Sequence, residues 1–148
     1  MSRLTIERLE SWPVSVPLTR PYTIAFKTSD AVEMLAVRLI TGGREFGLGC
    51  ASPEASVTGE TFAMCGDALA EATWLHGRKL EHPAALCHEL HARLQTCPAA
   101  CAAIDMAIWD AWAKALHRPL VDLLGRAHDQ LETSITIGIK GVAETLAE

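Results

Sequence analysis

The chain has 148 residues, 49% of them hydrophobic, enough to bury one sizeable core but too few for a complete α/β barrel of roughly 250 residues. Thirteen Lys and Arg against eighteen Asp and Glu give a net charge of −5, and the basic residues are scattered, so no basic face exists to follow a phosphate backbone and nucleic acid is excluded as a partner. Apolar runs fall short of the roughly 18 residues that cross a bilayer, and Arg3, Glu7, Arg8 and Glu10 break up the N-terminus where a signal peptide has its apolar core, so a cytoplasmic protein without membrane contact is expected.

In residues 4–17 apolar and polar side chains partly alternate, and Val14, Val16 and Leu18 share a face of an extended chain. The pattern predicts a strand interrupted by Pro13 and closed by Pro17, at a sheet edge because proline cannot donate to a ladder. In residues 31–40, Val32, Met34, Ala36, Arg38 and Ile40 alternate with Leu35, Val37 and Leu39. Gly42-Gly43 then supplies the positive φ angles of a tight hairpin, and residues 46–51 form the returning strand. After Gly59 the period changes: Phe62, Cys65, Leu69 and Ala72 fall at helical spacing, as do Leu86, Leu90 and Leu94 after His82-Pro83, predicting two amphipathic helices. Pro98 suits the first turn of a third helix. There Ala102, Ala103, Ile104, Met106, Ala107, Ile108 and Trp109 leave little polar surface beyond Asp105, Asp110 and Lys114, so this helix must be covered on more than one side. A turn and a short helix ending at Gly125 follow. Over residues 131–139 Ser134, Thr136 and Gly138 alternate with Ile135, Ile137 and Ile139, the period of a strand, and residues 142–148 begin another helical pattern. A strand of this kind with no neighbour exposes unpaired backbone groups, so this tail is expected to be sticky.

Cys50, Cys65, Cys87, Cys97 and Cys101 form an odd set without secretory context, which reads as reduced thiols packed as small hydrophobes. Cys87, His88 and His91, with Cys97 and Cys101 downstream, do not have zinc-finger spacing, and His88 and His91 are three apart where the metalloprotease pattern needs four. Gly47-Leu48-Gly49 lacks the third glycine and the following helix of a dinucleotide fingerprint, and reads as strand glycines. Ser52, Ser56 and Ser134 have no Gly-x-Ser-x-Gly context.

The buried helix, turn and short helix of residues 102–125 resemble the end of the N-terminal domain in the mandelate racemase and muconate lactonizing branch of the enolase superfamily. Arg20-Pro21-Tyr22-Thr23-Ile24-Ala25 resembles that domain's first loop. Gly47-Leu48-Gly49-Cys50-Ala51-Ser52-Pro53 with Thr58-Gly59-Glu60-Thr61 resembles its second, and Thr133-Ser134-Ile135-Thr136-Ile137-Gly138 the first barrel strand that follows. Together they are most similar to dipeptide epimerases, with muconate cycloisomerases close behind. The fold implied is α+β: an enolase-like capping domain over residues 1–130, a three-stranded antiparallel sheet followed by a helical bundle. Residues 131–148 would be the first strand and the start of the first helix of a truncated (β/α) barrel.

The resemblance implies a Mg2+-dependent isomerase that moves the α-proton of a dipeptide, with the two loops closing over the barrel mouth. In the family, paired lysines and three acidic metal ligands come from later barrel strands, so this chain is expected to supply no catalytic residue and no metal ligand, and to be inactive alone. Lys27 falls where the epimerases place a substrate-contacting basic residue, usually Arg; a lysine offers a point charge instead of a bidentate fork. Thr136 falls where the first barrel strand offers the substrate a hydroxyl. Cys50 departs from the Gly-x-Gly-Glu-Ala-x-Pro pattern of many relatives and reads as a small packed side chain. Glu54, Thr58 and Glu60 lie in or beside the second loop, although Thr58-Gly59-Glu60 also suits a capped helix entry. Asp105, Asp110 and Asp122 lie on capping-domain helices, where ion pairs or helix-end contacts account for them. A stand-alone binding or assembly module, or a nonfunctional truncated product, are the other readings, and a homo-oligomer is left open.

Overall fold

A computed structural model describes residues 4–43, 45–134 and 136–147. Three strands, β1 (Ile6–Ile24), β2 (Lys27–Thr41) and β3 (Phe46–Ala51), form one sheet in the order β1-β2-β3. Helices α1 (Phe62–Ala70), α2 (Pro83–Arg93), α3 (Pro98–Ala115), α4 (Leu120–Leu124) and α5 (Val142–Leu146) follow, with a 3-10 turn at Ala72–Leu75. The α+β architecture, the third strand and all five anticipated helical patterns stand as the sequence predicts. The chain divides into two compact units, residues 1–14 with 34–126, and residues 15–33 with 127–148.

The first unit holds the core. In β2, Leu35, Val37, Leu39 and Thr41 are buried while Ala36, Arg38 and Ile40 are only partly so, the period-2 signature of a sheet with one covered face. Antiparallel pairing sets Leu35 opposite Ala51, Val37 opposite Gly49 and Leu39 opposite Gly47, so two glycines lie on the covered face. They are there because α3 comes too close for anything else: a Cβ on Gly47 would lie 1.8 Å from the Ala107 carbonyl oxygen, and one on Gly49 would lie 1.9 Å from that of Ala103. Ala103, Ala107 and Ala111, one helical stripe, are buried, so small residues on both elements let strand and helix backbones touch. Ile104 and Ile108 are buried too, and Trp109 packs edge-on against Trp112 at 5.5 Å. The apolar helix is therefore covered on several sides, as its sequence requires. Its end is a Schellman motif: Arg118 N–H donates to Ala113 C=O and His117 N–H to Lys114 C=O, with His117 at φ 53°, where glycine is the usual residue.

Two expectations need correction. The first strand does not close at Pro17, and residues 20–24 are not a loop: β1 runs through Pro13, Pro17 and Pro21, and the chain reverses at Ala25-Phe26. The three prolines are spaced by four and so share one row of the strand, where a missing N–H is tolerated on the open side of an edge. The second correction is the strand expected over residues 131–139: residues 131–134 and 136–139 have no regular secondary structure, since a strand exists only with a ladder partner. Ile135 lies outside the described residues, as does Arg44, which follows the bend at Gly42-Gly43.

Candidate functional site

The second unit contains both residues that sequence reasoning placed at a substrate. It is built around the tip of the β1–β2 hairpin, where the Thr23 and Thr28 hydroxyls face each other across the strands at 2.9 Å and Ser15 donates to the Glu33 carboxylate. Phe26, at the reversal, is 73% exposed. Against this tip runs the Ile137–Ile139 stretch: Ile139 N–H donates to Thr23 C=O at 2.8 Å. Gly138 fits beside the Tyr22 ring, where a Cβ would meet the ring Cδ2 at 3.1 Å. Lys27 opens β2 and is exposed, and Thr136 is exposed three residues before the docked Ile139. The structure thus brings the segment carrying Thr136 against the strand end beside Lys27.

The second loop belongs to the other unit and is internally braced. Val57 N–H and Thr58 N–H both donate to Glu54 C=O, at 2.9 and 3.0 Å, and the Ser56 hydroxyl donates to Glu54 Oε1 at 2.9 Å. Gly59 has φ +79°, a value that side chains resist. The helix entry is capped by Thr61, whose Oγ1 accepts from Met64 N–H at 3.2 Å, rather than by Thr58. Glu60, 2% exposed, does something the sequence did not reveal: its Oε1 accepts from Ala99 N–H at 2.7 Å, capping α3 from outside that helix. The missed signal was at Cys97-Pro98, since a helix entered through a cysteine with no capping side chain must find its N-terminal partner elsewhere. Burial opposes ionisation of Glu60, but the Thr58 hydroxyl, the Ala99 N–H and the Cys97 thiol hold its carboxyl below the ordinary value. Its Oε2 is buried and has no hydrogen-bond partner among the described residues.

All five cysteines are free thiols. Burial pushes Cys65 and Cys87 up to about 12 and raises Cys50, Cys97 and Cys101, so none is a ready nucleophile. Cys50 lies on the uncovered sheet face with its Sγ 3.1 Å from Met34 Sδ, a packed thiol as expected. The three helical aspartates are each engaged locally. Asp105 pairs with His91 at 3.0 Å, Asp110 with Lys114 at 2.6 Å, and Asp122 with Arg126 at 2.9 Å. A magnesium ion asks for several converging oxygen ligands, and among the described residues no group of three or more His, Cys, Asp or Glu could hold a metal ion. The described residues therefore do not fit the Mg2+ implied for the parent family. Among them, too, no helix is long and apolar enough to cross a membrane.

Comparison with known proteins matches residues 8–125 to the family described as mandelate racemase / muconate lactonizing enzyme, N-terminal domain. The chain is 53% identical over 134 residues to an L-Lys-D/L-Arg epimerase of Methylococcus capsulatus, covering 89% of this chain and 38% of that protein. It is 47% identical over 147 residues to an L-Lys-D/L-Arg epimerase of Desulforapulum autotrophicum, covering 98% and 42%. Among solved structures, a Methylococcus capsulatus dipeptide epimerase complexed with Mg and the dipeptide L-Arg-D-Lys superposes with a TM-score of 0.93 at 49% identity, over 97% of this chain and 41% of that one. The chain thus spans about two-fifths of the length of these relatives. The family match over most of its length, on a three-stranded antiparallel sheet followed by helices, places it: the chain belongs to the mandelate racemase / muconate lactonizing enzyme N-terminal domain family of the enolase superfamily.

Proposed function

We propose that this chain is the substrate-closing region of a Mg2+-dependent dipeptide epimerase, and that the dipeptide carries cationic Lys or Arg side chains. The observation that carries the reading is the close structural likeness to an epimerase solved with L-Arg-D-Lys, extending over 97% of the chain. In this reading the reaction removes the α-proton of the dipeptide and returns one to the opposite face. The acid, the base and the metal ligands come from barrel strands beyond residues 131–148, which would be the first strand and the start of the first helix. The chain's own residues bind and enclose: the Lys27 ammonium meets a substrate carboxylate as a single point charge, the Thr136 hydroxyl contributes a hydrogen bond, and the exposed tip around Phe26 shields the bound dipeptide from water.

The test is α-proton exchange in D2O, followed by NMR, on Lys- and Arg-containing dipeptides with Mg2+ and the complete product of the gene that encodes this chain. Exchange with epimer formation is expected, and the 148-residue chain alone should give none. K27A should raise KM about tenfold, the scale of one charge-assisted hydrogen bond, and leave kcat nearly unchanged because Lys27 moves no proton. Absence of exchange with every dipeptide would overturn the reading, and a fall in kcat at constant KM would remove Lys27 from the binding role.

A further inference from the structure

The sheet has two edges, and they are protected by different chemistry. On β1 the first residues are paired with residues 77–80, through Ile6 N–H to Arg78 C=O at 2.8 Å and Leu80 N–H to Leu4 C=O at 2.9 Å. Further along β1, Pro13, Pro17 and Pro21 supply no N–H groups at all. β3 has no prolines. Its residues pair with β2 on one side, and by the alternation of an antiparallel ladder one row of its N–H and C=O groups points away. Phe46 and Leu48, 41% and 47% exposed, put large apolar side chains along this strand. An open edge with apolar side chains is a template for another strand.

That outward row is met by α3. Asp110 Oδ2 accepts from Leu48 N–H at 2.8 Å, Lys114 Nζ donates to Phe46 C=O at 3.1 Å, and the two side chains join each other at 2.6 Å. The ammonium also lies 5.0 Å from the centre of the Phe46 ring. An ordinary i,i+4 ion pair on a helix surface contributes little to stability, yet this one reaches around the strand and takes up a backbone donor and a backbone acceptor two residues apart. We propose that the Asp110–Lys114 pair is an edge guard: it occupies the outward hydrogen-bonding groups of β3 and so keeps a second copy of this chain from adding to the sheet there. The close approach of α3, which Gly47 and Gly49 permit, brings the two side chains within reach.

The experiment compares D110A/K114A with D122A/R126A, in the 148-residue chain, by sedimentation velocity over a concentration series and by hydrogen exchange at the Leu48 amide. Both double variants remove an i,i+4 pair and keep the net charge, and the control pair is the ion pair of Asp122 with Arg126 at the end of α4. D110A/K114A should self-associate at concentrations at least tenfold lower than the parent. Its Leu48 amide should exchange faster than the parent's when dilute and become protected as the copies assemble. D122A/R126A should follow the parent, and D110N/K114Q, which keeps polar groups at both positions, should largely restore the parent behaviour. If D110A/K114A does not fold, K114A, which frees only the Phe46 carbonyl, carries the same comparison with a smaller shift. The proposal fails if the variants lacking the guard sediment as the parent does, if D122A/R126A associates equally, or if association leaves the Leu48 amide unprotected.

Discussion

The two units of this molecule differ in how their residues are held. In the first, strand and helix touch backbone to backbone at Gly47 and Gly49, and every residue of the core cluster belongs to it. In the second, every described residue is at least partly exposed, and its ties include a threonine pair, a serine–glutamate contact and a backbone hydrogen bond between residues 23 and 139. The residues assigned to substrate, Lys27 and Thr136, are in the second. The difference is one of burial: the first unit is held by a packed core, while the second keeps its surface open, as the proposed closing role requires.

That contrast is broken most forcefully at the glycines. G47A or G49A drives a methyl group into a helix carbonyl, which only displacement of α3 relieves, and should cost about 3 kcal/mol or more in urea unfolding. G138A, in the second unit, meets its neighbours at 3.1 Å or beyond and should cost far less. Next in size is E60A, which strips the α3 N-terminus of its cap and should cost about 2 kcal/mol by the same measurement, while leaving the hairpin tip unaltered.

Acid should weaken the first unit in particular. Glu89 is held at about 2, first by Arg78 and then by Arg93, and Glu60 and Glu10 are also held below their ordinary values. A carboxylate with a lowered folded-state value contributes stability that is present above its unfolded-state value and lost as pH falls through the folded one. The urea midpoint should therefore drop from about pH 5 down to pH 2, and E89Q should flatten the lower part of that fall. The smallest effect is a gain: H117G relieves the left-handed backbone at the end of α3 and should stabilise by about 0.5 kcal/mol, read as a small rise in Tm.

Much of the scaffold was legible because it rests on local patterns. The alternation in residues 31–40, the boundaries of β3 and the helical spacing around Leu86, Leu90 and Leu94 each follow from burying one face. The reading stopped short where a nonlocal partner decides the outcome. Nothing near Glu60 announces that it caps a helix starting at residue 98. Nothing in Gly47-Leu48-Gly49 says that a helix backbone will lie against it, although the Ala103, Ala107 and Ala111 stripe is the matching half. Pro17 read as a strand end because proline's effect depends on which way its missing N–H would point, and that is fixed only by the neighbouring strand. The candidate site was legible through resemblance rather than spacing, for Lys27 and Thr136 are 109 positions apart and no short motif joins them.

The measurement that bears most directly on this account is hydrogen exchange of the complete gene product, with Mg2+, before and after addition of an Arg-Lys dipeptide. Amides of residues 15–33 and 136–147 should exchange quickly without the dipeptide and slow on its addition, while β3 and α3 stay unchanged. Dipeptide-dependent protection confined to β3 and α3, or none in the hairpin tip, would contradict the assignment of the exposed unit to substrate closure.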